Sequence, residues 1–114
     1  MAKKYHDLSE ELSQRYTMRE PSKVRDFLRR HPFLMLLLLE AHEKVLAYFG
    51  AEARATLEII TDPEVEDDQE LFVFVRTLLP PKEAFARLEQ LDREWWLDAS
   101  EKAQGKMCIH LRFA

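Results

Sequence analysis

Residues 56–77 read TLEIITDPEVEDDQELFVFVRT, and the fold class follows from them. Thr56-Leu57-Glu58-Ile59-Ile60-Thr61 has a period of two, which predicts a strand with Leu57 and Ile59 on one face. LFVFVRT, Leu71 to Thr77, is rich in β-branched and aromatic residues and predicts a second strand. The nine residues between them, opened by Asp62-Pro63, predict a hairpin loop. The second strand is apolar on both sides, with Leu71, Val73 and Val75 on one and Phe72 and Phe74 on the other. Such a strand is buried on both faces or presents one of them to a partner.

Upstream the period is 3.6. Pro32 to Gly50, PFLMLLLLEAHEKVLAYFG, predicts a helix. Proline suits a first helical position, and glycine takes the left-handed conformation that ends a helix. Leu34, Leu38, Ala41, Val45 and Phe49 form a stripe, widened by Met35, Leu39, His42 and Leu46, with His42 expected as a hydrogen-bonded core histidine. The opposite side carries Glu40, Glu43, Lys44 and Ala47, but one and two turns earlier it is Phe33, Leu36 and Leu37. Those three need cover, from the preceding segment or from a second subunit. Only seven apolar residues precede the first charge, against about 20 for a membrane span, so the helix is read as buried. Before it, Val24, Phe27, Leu28 and His31 recur at helical spacing behind Ser22 as N-cap, with Lys23, Arg25, Arg29 and Arg30 outward. This short helix is the expected lid. Residues 1–21 are read as an N-terminal arm, a short helix at most, with Tyr5, Leu8, Leu12, Tyr16 and Met18 on one edge and Pro21 as its end.

Downstream, Pro80-Pro81 starts a helix whose expected stripe is Phe85, Leu88, Leu91 and Trp95. Trp96 stands about 100° round from Trp95 and is expected to face other neighbours. Gly105 marks a turn, and Met107 to Phe113 predicts a third strand, with Met107, Ile109, Leu111 and Phe113 inward and Cys108, His110 and Arg112 outward. The order α-α-β-β-α-β predicts an α+β domain over residues 22–114: N-terminal helices and one crossover helix layered on a three-stranded mixed sheet. The crossover returns strand three parallel to strand two. Strand one is placed in the middle; a central strand two is the alternative. If the aliphatic set faces the helices, the open side shows Glu58, Ile60, Phe72, Phe74, Arg76, Cys108, His110 and Arg112; reversed, its patch is Leu71, Val73 and Val75.

Composition describes a folded, water-soluble chain: 114 residues, 46% hydrophobic, 33% charged, net charge −4. Residues 1–31 hold eight Lys/Arg against five Asp/Glu, and residues 32–114 hold nine against sixteen. A dedicated nucleic-acid binder usually shows a dominant basic face, so that class is disfavoured. One cysteine and an N-terminus with no apolar run lead to a cytoplasmic expectation.

Three groups of side chains have the residue types that chemistry or binding needs. The loop carries six carboxylates in nine residues, and Asp62, Glu64, Asp67 and Asp68, with His110, are candidate ligands for a hard cation in a metal-dependent hydrolase or nuclease. It has no glycine, so it is no EF-hand, and a solvated hairpin tip is the preferred reading. Cys108 and His110, two apart on one strand, lack the further pair that structural zinc requires. Lys23, Arg25, Arg29 and Arg30 define a nucleic-acid-associated alternative. With glycine only at positions 50 and 105, no phosphate loop or cofactor motif is legible, and no catalytic residue is assigned. The preferred function is therefore a protein–protein interaction module, a homodimer or one half of a cognate pair, with Phe33, Leu36, Leu37, Ile60, Phe72, Phe74 and Trp96 as candidate interface residues.

The blocks ATLEIITDPE, ELFVFVRTLLPP and LDREWWLDASEKAQGKMCI resemble a set of small bacterial proteins of unknown function, over roughly residues 22–113. The WWLD…GK…CI tail is the most distinctive part. The resemblance implies domain limits and no activity.

Overall fold

A computed structural model describes residues 5–61, 64 and 69–113. The elements are α1 (Tyr5–Arg15), β1 (Thr17–Met18), α2 (Pro21–Arg30), α3 (Leu34–Phe49), β2 (Arg54–Thr61), β3 (Gln69–Arg76), α4 (Pro81–Leu91) and β4 (Met107–Leu111). The class is α+β as expected, but the mixed sheet has four strands, in the order β1-β2-β3-β4.

Two expectations about the sheet are corrected. Thr17 and Met18 add a short parallel strand beside Thr56 and Leu57, too brief to leave a periodic signal. That addition occupies the outer edge of β2, so β4 pairs with β3, and β3 rather than β2 lies between the two longer neighbours. β2 and β3 run antiparallel, and β4 returns parallel to β3. Of the two apolar sides of β3, Leu71, Val73 and Val75 are buried, whereas Phe72 and Phe74 on the other side are only partly covered.

The core joins Ala55, Leu57, Leu71, Val73, Val75, Met107 and Ile109 on one sheet face to Leu12, Phe27, Leu28, Leu34, Leu38, Val45 and Leu91 of the helices. The segment before Pro21 contributes to it: Leu12 and Tyr16 are buried, and the Tyr16 hydroxyl donates to the Leu38 carbonyl at 2.7 Å. Pro21 begins α2 instead of ending α1. Its N-cap is Glu20, in the left-handed region at φ 51°, and Ser22 lies inside the first turn. Gly50 ends α3 at φ 98°, a conformation that disfavours a side chain.

Cover over α3 differs from the expected lid. Leu37 is 5% exposed inside the chain's own core, while Leu36 is 65% and Phe33 40% exposed. Leu37 is thus withdrawn from the candidate surface.

In α4 the expected stripe is shifted. Phe85 is 56% exposed, its ring 5.7 Å from that of Phe113, whereas Ala84 and Leu91 are fully buried. Residues Asp92–Trp96 form a π turn, followed by a helical turn, Leu97–Ala99, and a 3-10 turn, Ser100–Ala103. This keeps Leu91, Trp95, Ala99 and Ala103 inward, and it lets the Trp95 and Trp96 rings meet at 5.5 Å. The two tryptophans therefore share surroundings, and Trp96 packs half-buried against its own core. The Trp95 indole N–H donates to the Glu40 carboxylate.

Candidate functional site

Because Leu57, Leu71, Val73, Val75, Met107 and Ile109 point to the helices, their alternate neighbours form the opposite face of the sheet. That face carries no buried residue among those described. It is ordered in rows across the strands. Arg54 lies opposite Arg76, and Arg112 follows the last strand pair, Val75 with Leu111, its N–H donating to the Val75 carbonyl at 2.9 Å. The next row is Thr56, Phe74 and His110; the third is Glu58, Phe72 and Cys108; the fourth pairs Ile60 with Glu70. One end is basic, the middle is aromatic, and the far end bears a carboxylate.

The middle is tightly organised. Phe72 stacks on Phe74 at 5.4 Å and on His110 at 5.3 Å. The Arg112 guanidinium lies 3.8 Å above the Phe74 ring, and its Nη2 donates to Glu58 Oε1 at 3.0 Å. Glu58 thus holds a cation against an aromatic face, a contact worth on the order of 1 kcal/mol. Arg19 lies 4.0 Å from the same carboxylate.

Cys108 is not an activated thiol. Burial, followed by its hydrogen bond to Glu70 and that carboxylate's charge, raises its pKa well above the ordinary thiol range. His110 is spent on stacking with Phe72. Asp62, Asp67 and Asp68 lie outside the described residues, and Glu64 is exposed. His110 sits five residue pairs from Thr61 and Gln69, about 17 Å along the strand, so the sheet does not bring it to the hairpin end. Among the described residues no three His, Cys, Asp or Glu side chains gather to hold a metal ion.

Of the α2 cations, Lys23 pairs with Glu20 at 3.4 Å and Arg30 with Asp26 at 3.3 Å, and Arg30 also donates to Gln69. They support the helix surface and the hairpin. His42 departs from expectation: its Nδ1 is buried without a hydrogen-bond partner among the described residues, and its ring meets Tyr16 edge-on at 5.4 Å. Burial, then the nearby Arg15 charge, lowers its pKa against a smaller opposing effect of Glu43.

The interface residues expected from sequence thus separate. Ile60, Phe72 and Phe74 lie together on the open face, Phe33 and Leu36 lie on the helix layer, and Leu37 and most of Trp96 serve the core. Sequence places Arg76 and Arg112 on the open side and misses Arg54, because the first strand is read from Thr56 whereas β2 begins at Arg54. Among the described residues no helix is long and apolar enough to cross a membrane. No protein-family model, no curated protein and no solved structure matches the chain.

Proposed function

We propose that the protein is a cytoplasmic interaction module that associates with a second copy of itself through the open face of the sheet. The observation that carries this reading is the aromatic middle, where Phe72, Phe74 and Ile60 stand on a face that no helix among the described residues covers. Apolar clusters of this kind on a soluble surface generally mark contacts. The second copy is favoured over a foreign partner by charge. A two-fold axis through the middle of β3 sets the arginine row of each copy against Glu70 of the other and lets the phenylalanines interdigitate. Such an isologous contact needs a patch complementary to itself, which a face basic at one end and acidic at the other provides.

Strands of eight, eight and five residues, about 4.8 Å apart and rising about 3.3 Å per residue, give two copies on the order of 700 Å² of joint face, the size of a weak, transient contact. Association with a dissociation constant of roughly 10–100 μM is therefore expected. Sedimentation velocity across that concentration range tests it. R76E should weaken the dimer at least tenfold, and the exchange E70R/R76E should restore it. A strict monomer throughout, or a double variant no better than the single one, contradicts the reading.

A further inference from the structure

We infer that the arginine row at the end of the open face is a binding site for the phosphate group of a small organic ligand. A cleft of about 270 Å³ lies there, lined by Glu52, Arg54, Arg76, Thr77, Leu78 and Arg112, with Phe113 closing it.

Three observations converge. First, Arg54 and Arg76 are directly opposite in the β2–β3 register, an arrangement of like charges that destabilises a sheet. Such a departure from local preference is expected where a functional site needs it. Second, neither has a carboxylate partner among the described residues. Among the described residues, the Arg54 side chain donates to the Glu52 and Ala53 carbonyls, at 3.1 and 3.2 Å, and the Arg76 side chain has no polar partner. Arg112 alone is matched, by Glu58, which it shares with Arg19. Against Glu52 and Glu58, the four arginines leave an excess of two positive charges in a chain whose net charge is −4. Third, the wall beside them is apolar and open: Leu78 is 84% and Phe113 45% exposed.

Guanidinium forks match the oxygens of phosphate and carboxylate, and an excess of two charges selects the dianion. Leu78 and Phe113 then seat an apolar or aromatic body attached to it. The volume is slightly below the range of about 300–1,000 Å³ usual for drug-sized ligands, which suits one phosphate and a ring partly in solvent. This site does not depend on self-association, because every residue lining the cleft belongs to one chain, and dimer present at about 10 μM protein would weaken the apparent affinity by at most about twofold.

The probes are phenyl phosphate, inorganic phosphate and neutral benzyl alcohol, titrated calorimetrically into about 10 μM protein at matched ionic strength. Phenyl phosphate should saturate with a dissociation constant below about 1 mM, inorganic phosphate at least about fivefold weaker, and benzyl alcohol should give no heat. R54Q and R76Q should each weaken phenyl phosphate at least about tenfold, whereas R29Q, an exposed arginine of α2, should change it by less than about twofold. Without ligand, R76Q should melt at or above the native temperature, by about 1–3 °C, since it removes a like-charge pair; that excludes misfolding as the cause of lost binding. No saturation up to about 20 mM phenyl phosphate, or equal loss in R29Q, overturns the site. Equal affinity for the two phosphates removes the role of Leu78 and Phe113. A single-stranded oligonucleotide binding more than about 100-fold tighter than phenyl phosphate replaces the small ligand with a nucleic-acid backbone.

Discussion

Tyr16 shows how one side chain ties the N-terminal segment to the core. Its ring is buried, and its hydroxyl reaches the Leu38 carbonyl in the middle of α3. Burial pushes the phenol far above its ordinary pKa of 10.0, against a smaller opposing effect of Arg15. Y16F should cost about 1 kcal/mol at neutral pH, the typical net value of a hydrogen bond. The sign of its pH dependence is fixed. The folded pKa is raised, so the unfolded chain loses the proton first, and the stability is complete below pH 10 and declines above it. Tyr48 and Cys108 are raised as well and add to the alkaline decline in both proteins. Urea melts between pH 7 and pH 11 should therefore show the Y16F deficit shrinking above pH 10. A constant deficit would contradict the burial of this hydroxyl.

His42, a turn beyond the Leu38 carbonyl, behaves oppositely. Its lowered pKa keeps the ring neutral, so stability should decline as pH falls below the ordinary imidazole value of 6.5. The ring is only partly buried, so this slope is expected to be shallow. Comparison of H42Q with the native protein between pH 5 and pH 7.5 isolates it; a slope unchanged by H42Q would contradict it.

Elements were legible to different degrees. The hairpin strands, α3 and its glycine end follow from periodicity and from residues with one strong preference. Strand order did not, because β1 is two residues long and its pairing with β2 arises from tertiary contact alone. The stripe of α4 was misplaced by one residue at its start: Phe85 outweighs Ala84 in any hydrophobic count, yet the smaller side chain is the one enclosed at close packing. A π turn then altered the spacing near Trp96 with no glycine or proline to announce it. L91A should cost about 2–4 kcal/mol in denaturant melts, and F85A less than about 1 kcal/mol. Equal costs would restore the stripe read from sequence. The open face itself was legible as one of two alternatives, because Phe72 and Phe74 alternate with Leu71, Val73 and Val75; only the packing of the helices chooses between them.

Across the whole molecule, one sheet face is enclosed by helices and the other carries rings, arginines and Glu70 in ordered rows. Phe33 and Leu36 remain exposed on the helix layer, away from those rows, and have no part in the proposed contact. Association and phosphate binding meet at the arginine row, so the two-fold contact should weaken as phenyl phosphate fills the cleft.

The proposed contact is best tested by NMR relaxation of the Ile60 methyl groups and the Phe72, Phe74 and His110 rings in the presence of a soluble paramagnetic agent, over a dilution series from about 500 to 5 μM. The account predicts that these resonances are shielded at the high concentration and become accessible on dilution, while Leu36 stays accessible throughout. Full accessibility of Phe72 and Phe74 at every concentration would contradict it.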